Sequence, residues 1–132
     1  MTKRYWVNTV SRPHVQEGVA GGFTQAGHGT ESRLKRLAKG DEIVFYSPRA
    51  DQRFIAVAEV TDDAPFQRED GQSWRRKARY LDLSEAPVQP LIDELEFIRN
   101  KKSWGVAFRR GFFEIGEADY ARILKAMRSA GP

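Results

Sequence analysis

The stretch GVAGGFTQAGHGTESRLKRLAKGDEIVFYS, residues 18–47, decides the expected fold, because three different local patterns follow one another within it. It opens with a glycine-rich segment that carries five glycines in fifteen residues. The next residues predict a short helix: Thr30 suits the N-cap, Leu34 and Leu37 face inward, and Gly40 ends the helix. The closing residues DEIVFYS are apolar, β-branched and aromatic, which is typical of a strand. The stretch therefore predicts a helix that leads directly into a strand.

The residues on either side of this stretch predict further strands. RYWVNTV (4–10), RFIAVAEVT (53–61) and WRRKARYLDL (74–83) are rich in β-branched and aromatic residues or alternate large with charged ones. The second of these is expected to pair with residues 41–47 as a hairpin with a loop of about five residues. SRPHVQEG (11–18) is instead expected to turn, because its proline ends a ladder of strand hydrogen bonds.

The C-terminal part of the chain predicts short elements and one clear helix. Residues 86–98 are expected to hold a short helix, and residues 103–115 a final hairpin or a strand with a turn. In the last helix apolar residues recur at i, i+3, i+4 and i+7: Tyr120, Ile123, Leu124 and Met127. The chain thus predicts one α+β domain over residues 1–132, a small, strongly curved mixed β-barrel of five to six strands with short peripheral helices.

The composition limits the classes of function. Cysteine is absent, which excludes disulfides and thiolate metal sites. No apolar run approaches the ~20 residues of a membrane helix and none resembles a signal peptide, so a cytoplasmic protein without a membrane partner is expected. The chain has two histidines and no H-E-x-x-H or G-x-S-x-G sequence, so no metal site, cofactor site or catalytic set is visible.

The formal net charge is +4, and the basic residues cluster beside aromatic ones. WRRKARY (74–80), RNKKSW (99–104) and FRRGFF (108–113) are three such clusters. Basic residues interleaved with aromatic ones suit a surface that holds phosphate and stacks a base. The same pattern also arises when the aromatic residues lie in the core and the basic residues face solvent. The clusters alone leave both interpretations open.

Three functions are compatible with the glycine-rich segment: a phosphate-binding loop, a catalytic loop built around His28, and one wall of a pocket for a flat ligand. The predicted helix starts after Gly29, whereas the dinucleotide fingerprint needs its glycines to open a helix directly after a strand. His28 has no evident catalytic partner, although Thr30 lies two residues away. The pocket wall is favoured, with Phe23 stacking on the ligand. A small-molecule or nucleotide site, or an enzyme, that uses the glycine-rich loop and His28 stays the alternative.

The segments RYWVNTVSR, GVAGGFTQAGHGTESRLKRLAKGDEIVFYSPR, APVQPLIDELEFI and FRRGFFEI together resemble the EVE domain. The resemblance extends from about Tyr5 to Ile123 and is most specific between Gly18 and Tyr46. EVE domains have a PUA-like barrel and are similar to YTH domains, which hold N6-methyladenine of RNA in an aromatic cage. The resemblance therefore implies a non-catalytic reader of a modified base in DNA or RNA. No exposed apolar stripe demands a dimer, so a monomer or weak homodimer is expected.

The resemblance also implies a set of site residues. Phe23 and Thr24 stand where the YTH cage has a tryptophan followed by a serine, so a ring and a hydroxyl are kept. The other pocket residues that it implies are Asn8, Ser11, Ser47, Trp104 and either Trp74 or Phe66. The residues that it implies for contacts to backbone phosphates are Arg75, Arg76, Arg109 and Arg110.

Overall fold

The computed structural model describes residues 3–26, 31–67 and 74–129, so the expectations for His28 and Thr30 fall outside the described residues. The strands are β1 (Tyr5–Thr9), β2 (Phe23–Ala26), β3 (Glu42–Ser47), β4 (Arg53–Val60), β5 (Phe66–Gln67), β6 (Trp74–Tyr80), β7 (Ala86–Pro87) and β8 (Phe112–Ile115). The helices are α1 (Arg12–Gly21), α2 (Glu31–Lys35) and α3 (Glu117–Ser129), with the 3₁₀ helices η1 (Gln89–Leu91) and η2 (Trp104–Arg110). No helix within these ranges is long and apolar enough to cross a membrane.

The strands form one mixed sheet in the order β2-β6-β4-β3-β1-β8, with β5 beside β6 and β7 beside β4. β1 and β3 are parallel, and the other pairs are antiparallel. The α+β class and the mixed, curled sheet with few helices confirm the prediction in outline. Within the described residues the strands number eight rather than five to six, because β5 and β7 are two residues long and carry no periodic signal. The path of paired strands runs from β2 to β8, so across the described residues the sheet is open and not a closed barrel.

The central hairpin and the last helix form as their sequences predict. β3 and β4 pair antiparallel on either side of the loop at residues 48–52, and a bulge between Phe45 and Tyr46 bends the pair. In α3, Ile123 and Met127 are completely buried, in agreement with the 3.6-residue apolar period. These elements need only local patterns, which explains why the sequence predicts them.

Helix α1 corrects the predicted turn at residues 11–18. Pro13 stands in its first turn, where the backbone N–H that proline lacks would have no helical partner. Gly22 ends the helix in the left-handed conformation, with a φ of 72°. A Cβ on Gly18 would lie 2.4 Å from the carbonyl oxygen of Phe23, so this glycine permits the helix to pack closely on the strand that follows. The first glycines of the segment therefore serve the packing and the end of a helix.

Helix η2 corrects the predicted final hairpin. Trp104–Arg110 form this 3₁₀ helix, and only β8 is extended. A short 3₁₀ helix has no apolar period of its own, so the sequence pattern did not indicate it. Gly111, with a φ of 76°, turns the chain from η2 into β8, which pairs with β1. This turn brings Trp104 and Arg109 to the end of β1.

Two apolar clusters pack on opposite faces of the sheet, because successive residues of a strand point to opposite sides. One cluster joins Val7 and Val44 to α3 and η2. The other joins Trp6 and Ile43 to residues of α1 and the α2 segment, namely Val15, Leu34 and Leu37. The sheet is thus covered on both faces. The parallel strands β1 and β3 lie side by side within it, so their C-terminal ends lie next to each other.

Candidate functional site

Three depressions lie where β1 and β3 end, and Thr9 lines each of them; we call this surface the Thr9 face. The two larger ones also share Pro48 and Arg49, whereas the smallest shares only Thr9 and Val10 with them and is lined by residues of the other core cluster. The depressions are a groove of about 1020 Å³, a cleft of about 510 Å³ and a cavity of about 80 Å³. η2 fixes Thr9, whose backbone N–H donates to the Gly111 carbonyl at 2.6 Å and whose hydroxyl donates to the Phe108 carbonyl at 2.9 Å. The face is therefore built jointly by two strand ends and η2.

The groove runs between the β3–β4 loop and η2. The loop supplies Arg49 and Gln52, and η2 supplies Trp104, Val106 and Arg109. Trp104 is half-buried, and its ring meets Phe108 edge to face with the centroids 6.3 Å apart. Val106 is 51% exposed, so the floor between the two walls has an open apolar part. The structure thus brings the predicted Trp104 and Arg109 together in one groove.

The groove carries positive charge without a balancing carboxylate. Arg49 and Arg109 are exposed, and within the described part of the chain neither makes a hydrogen bond or ion pair. Burial raises the pKa of Tyr46, another lining residue, to about 12, so its phenol stays neutral. Two free guanidinium groups beside an indole attract an anion and a flat ring together.

The cleft contains the predicted Ser11 and Ser47, together with an ion-pair cluster. The Ser47 hydroxyl donates to Asp51 at 2.7 Å, and Arg12 Nε donates to the same carboxylate at 3.0 Å. The terminal nitrogens of Arg12 donate to the two carboxylate oxygens of Glu85, at 2.5 and 2.9 Å. Hydrogen bonding to Arg12 lowers the pKa of both Asp51 and Glu85. The cluster joins α1 to the β3–β4 loop and to the segment that leads into β7.

The cavity brings the predicted Asn8 and Thr24 together. His14 and Arg33 also line it, and the His14 Nε2 atom lies 2.8 Å from the Gln25 carbonyl oxygen. Ligand pockets for small molecules occupy roughly 300–1,000 Å³, whereas this cavity measures about 80 Å³. It has room for a substituent of a ligand rather than for a whole planar ring.

Phe23 does not face this cavity, which corrects the expectation that Phe23 and Thr24 contact one ligand. Adjacent residues of β2 point to opposite sides of the sheet, and Thr24 takes the side of the cavity. Phe23 is buried on the other side, where its ring atoms lie against Gly21. The Arg75 guanidinium covers the ring, with Cζ 3.7 Å from its centroid. The protein itself thus occupies the stacking surface that the sequence assigned to a ligand.

Arg76 is completely buried, which corrects its assignment to a phosphate contact. Its Nε donates to Asp62 at 2.6 Å, and its Nη1 donates to the Leu34 and Leu37 carbonyls, each at 2.6 Å. These bonds tie β6 to the chain that follows α2. Arg75 is engaged as well, since it donates to the Gln25 side chain at 2.8 Å. Neither arginine presents a free guanidinium group.

Three other predicted residues lie away from the Thr9 face. Trp74 packs against the core cluster that contains Trp6, and Phe66 lies on β5 and is 37% exposed. Arg110 lines a neighbouring pocket of about 580 Å³, which shares Ser103, Trp104 and Val106 with the groove, and its Cζ lies 4.0 Å from the centroid of Phe113. That pocket also contains Glu96, Glu114 and Asp119, so its charge is mixed.

Potential metal ligands are not grouped in the described residues. In the ranges 3–26, 31–67 and 74–129, no cluster of three or more histidine, cysteine, aspartate or glutamate side chains has the geometry to hold a metal ion. The groove instead offers guanidinium groups, an indole, hydroxyls and the Gln52 amide. Groups of these kinds can bind and orient a ligand.

Sequence reasoning missed two residues that line the groove, Arg49 and Gln52. Arg49 and Gln52 lie in the loop of a hairpin that was correctly predicted, and loop residues at the ends of strands often bind ligands. The missing information was that β1 and β3 are parallel, which puts this loop beside the end of β1. That pairing is a long-range property of the fold.

Comparisons with known proteins agree with this architecture. The family model for the EVE domain matches residues 4–126. A UPF0310 protein of Mycobacterium avium (strain 104) is 48% identical over 132 residues, which cover 92% of this chain and 96% of that protein.

Two solved structures have a similar fold at low sequence identity. The YTH domain of Mmi1 in complex with RNA has a TM-score of 0.66 and 10% identity, and the match covers 97% of this chain and 79% of that one. An ASCH protein of Zymomonas mobilis has a TM-score of 0.61 and 10% identity, covering 92% and 94%. Both fit the PUA-like class that the sequence implied. Since the family model spans most of its length, the chain belongs to the EVE domain family.

Proposed function

We propose that this EVE domain is a non-catalytic reader that binds nucleic acid on its Thr9 face and recognises a modified base there. The observation that carries the proposal is the groove, in which Arg49, Arg109 and Trp104 lie together and no carboxylate is among the described lining residues. The YTH domain of Mmi1, which shares the fold, is found in complex with RNA, and this supports a nucleic-acid ligand.

The groove matches the two chemical parts of a single strand. Arg49 and Arg109 are free to contact phosphates, which supplies affinity without reading sequence. Trp104 offers an indole on which an unstacked base can lie, and base stacking on aromatic rings contributes about 1–3 kcal/mol per base. The Gln52 Oε1 atom accepts from Gln89 Nε2 at 2.5 Å, so the Gln52 amide nitrogen and the Ser103 hydroxyl are the groups that can face the edge of the base. A duplex hides its bases, so the ligand is a single-stranded or flipped-out nucleotide.

We assign recognition of the modification to the cavity and cleft beside the groove. Asn8 and Thr24 line a space that fits a substituent rather than a ring, and Ser11 lies exposed in the adjoining cleft. A substituent that fills this space gains contacts that an unmodified base lacks. DNA and RNA both remain candidates, and the two polymers are arms of the test.

The test is fluorescence anisotropy with matched single-stranded DNA and RNA oligonucleotides, each with and without base methylation, over about 50–200 mM salt. Wild-type protein is expected to bind, to prefer one modified oligonucleotide, and to weaken as salt rises. Trp104→Ala should weaken binding by about tenfold or more, because it removes one stacking surface. Trp74→Ala, which changes a half-buried tryptophan outside the Thr9 face, is the matched control and should retain binding while folded. Absence of binding by the wild type at low salt, or equal losses in both variants, would overturn the proposal.

The enzyme or nucleotide-binding alternative rests on the glycine-rich loop and His28, which lies outside the described residues. We propose the reader instead, because the groove and its arginines are described directly. We also propose that the protein acts as a monomer or weak homodimer in the cytoplasm. Light scattering across a dilution series tests the oligomeric part of this proposal.

A further inference from the structure

The β3–β4 loop has an unusual backbone at both residues that it contributes to the groove. Arg49 has a φ of 64° and Gln52 a φ of 48°, although neither is glycine. Side chains with a Cβ adopt this left-handed region at a cost, so the surrounding structure has to hold them there. The loop therefore does not take this shape by local preference alone.

Two sets of contacts hold the loop. On one side, Asp51 accepts hydrogen bonds from Arg12 and Ser47, at 3.0 and 2.7 Å. On the other side, the Gln52 carbonyl accepts from the Val88 N–H at 3.0 Å. Asp51 thus fixes the middle of the loop, between its two left-handed residues.

Arg12 connects this loop to α1 and to the segment before β7. It stands at the start of α1, and its bidentate contact with Glu85 ties it to the residue before β7. β7 in turn pairs with β4, the strand that leaves the loop. A bidentate contact fixes the orientation of the guanidinium group relative to the carboxylate, whereas a lysine ammonium group can approach a carboxylate from many directions.

Arg12 also neutralises the carboxylate nearest to the groove. Among the described residues that line the groove, the cleft and the cavity, Asp51 is the single carboxylate. Without Arg12 this carboxylate would repel a phosphate bound beside it, although the charge of Arg53 also lowers the pKa of Asp51. Ion pairing of Asp51 with Arg12 therefore limits uncompensated negative charge beside Arg49.

We infer that Arg12 and Asp51 are positioning residues of the nucleic-acid site, which act through Arg49 by holding the β3–β4 loop in its left-handed shape. The inference rests on the proposed function for its effect on binding. It has a structural part of its own, because the loop shape can be measured without any ligand.

The test compares Arg12→Gln with Arg79→Gln. The second substitution removes the same charge from an exposed arginine of β6 that pairs with Glu59 of β4. Arg12→Gln is expected to weaken binding of the single-stranded oligonucleotide about tenfold, and Arg79→Gln less than twofold, because only the first loosens the loop that positions Arg49. In an Arg49→Ala background Arg12→Gln should have almost no further effect, since coupled residues are non-additive. Arg12→Lys should resemble Arg12→Gln, because lysine keeps the charge and loses the bidentate geometry.

The structural readout uses NMR couplings that report the φ of Arg49. Wild type should show the left-handed conformation, and Arg12→Gln should lose it while the thermal unfolding curve shows that the domain is folded. If Arg12→Gln fails to fold, Ser47→Ala replaces it, since it deletes only the Ser47 hydrogen bond to Asp51. Ser47→Ala should then show a smaller loss of binding that disappears in the Arg49→Ala background.

The outcomes separate the two proposals. If the wild-type protein binds no oligonucleotide, the proposed function is contradicted. If the φ of Arg49 is unchanged in Arg12→Gln, the inference is contradicted. Two further outcomes would contradict the inference, because they would show that Arg12 acts only by its own charge. They are an equal loss of binding from Arg12→Gln with and without Arg49, and undiminished oligonucleotide binding by Arg12→Lys.

Discussion

The arginines of two basic–aromatic segments, WRRKARY (74–80) and WGVAFRR (104–110), differ in how far partners within the protein engage them. In the first, Arg75 lies on the Phe23 ring, Arg76 is buried against Asp62, and Arg79 pairs with Glu59. In the second, Arg109 is exposed without a partner in the described residues, and Trp104 lines an open groove. We call these the paired region and the open region. The comparison teaches that partners within the protein, rather than the basic sequence itself, decide which arginines are available to a ligand.

The largest expected effect is on the stability of the paired region. Arg76→Ala should reduce the free energy of unfolding by about 3–5 kcal/mol, because it leaves the Asp62 carboxylate and two carbonyl oxygens without their buried donor. Arg109→Ala, from the open region, should change it by less than about 0.5 kcal/mol. Urea unfolding followed by circular dichroism measures both. Similar losses in the two variants would erase the distinction between the regions.

Glycine substitutions sharpen the same contrast. Gly18→Ala should cost about 1–3 kcal/mol of stability, since its new Cβ would meet the Phe23 carbonyl oxygen at 2.4 Å. Gly105→Ala lies in the groove, where nothing stands within 4 Å of the new Cβ, and should be nearly neutral. Thermal unfolding of the two variants side by side is the measurement. A stable Gly18→Ala protein would mean that α1 does not pack on β2 as described.

A smaller effect is expected where Arg75 covers Phe23. Arg75→Ala should cost about 0.5–1 kcal/mol of stability, the usual size of an exposed cation–π contact. It should leave the preference for a modified oligonucleotide unchanged, because Phe23 lies on the opposite side of β2 from the cavity. Unfolding and anisotropy are measured on the same preparation. Loss of that preference in folded Arg75→Ala would restore Phe23 to the binding site.

The smallest effect concerns acid pH. Asp51 and Glu85 have pKa values lowered by Arg12, so each binds protons less readily in the folded state than in the unfolded one. Their contribution to stability is therefore present above about pH 5 and is lost as the pH falls through the lowered pKa values. The stability difference between wild type and Arg12→Gln should shrink from about pH 7 to about pH 3. A difference that grows in acid would show that the cluster does not stabilise the fold through these carboxylates.

Local patterns in the sequence were sufficient for the parts of the fold that depend on them. The β3–β4 hairpin and α3 follow from apolar runs and a 3.6-residue period. α1 was missed because its glycines and Pro13 indicate a turn, although proline is well suited to the first turn of a helix. η2 was missed because seven residues of 3₁₀ helix have no period to detect.

The site was predicted in part, for the same reason. Trp104 and Arg109, like Asn8 and Thr24, were named as site residues from the resemblance; the structure brings both pairs to the Thr9 face. Phe23 was misplaced because neighbours on a strand face opposite sides, which depends on which face of β2 is turned to the cavity. Arg49 could not be named, since its place follows from the parallel pairing of β1 with β3.

The most direct test of the Thr9 face is the salt dependence of oligonucleotide binding in two double variants of equal charge. Arg49→Ala/Arg109→Ala removes the two free arginines of the groove, one of which belongs to the open region, and Arg75→Ala/Arg79→Ala removes engaged arginines of the paired region. For a single strand, the negative slope of log affinity against log salt should become shallower by about 1.4 in the first variant, corresponding to two lost phosphate contacts, and stay unchanged in the second. An equally large decrease in steepness in both variants, or a larger one in the second, would contradict binding on the Thr9 face.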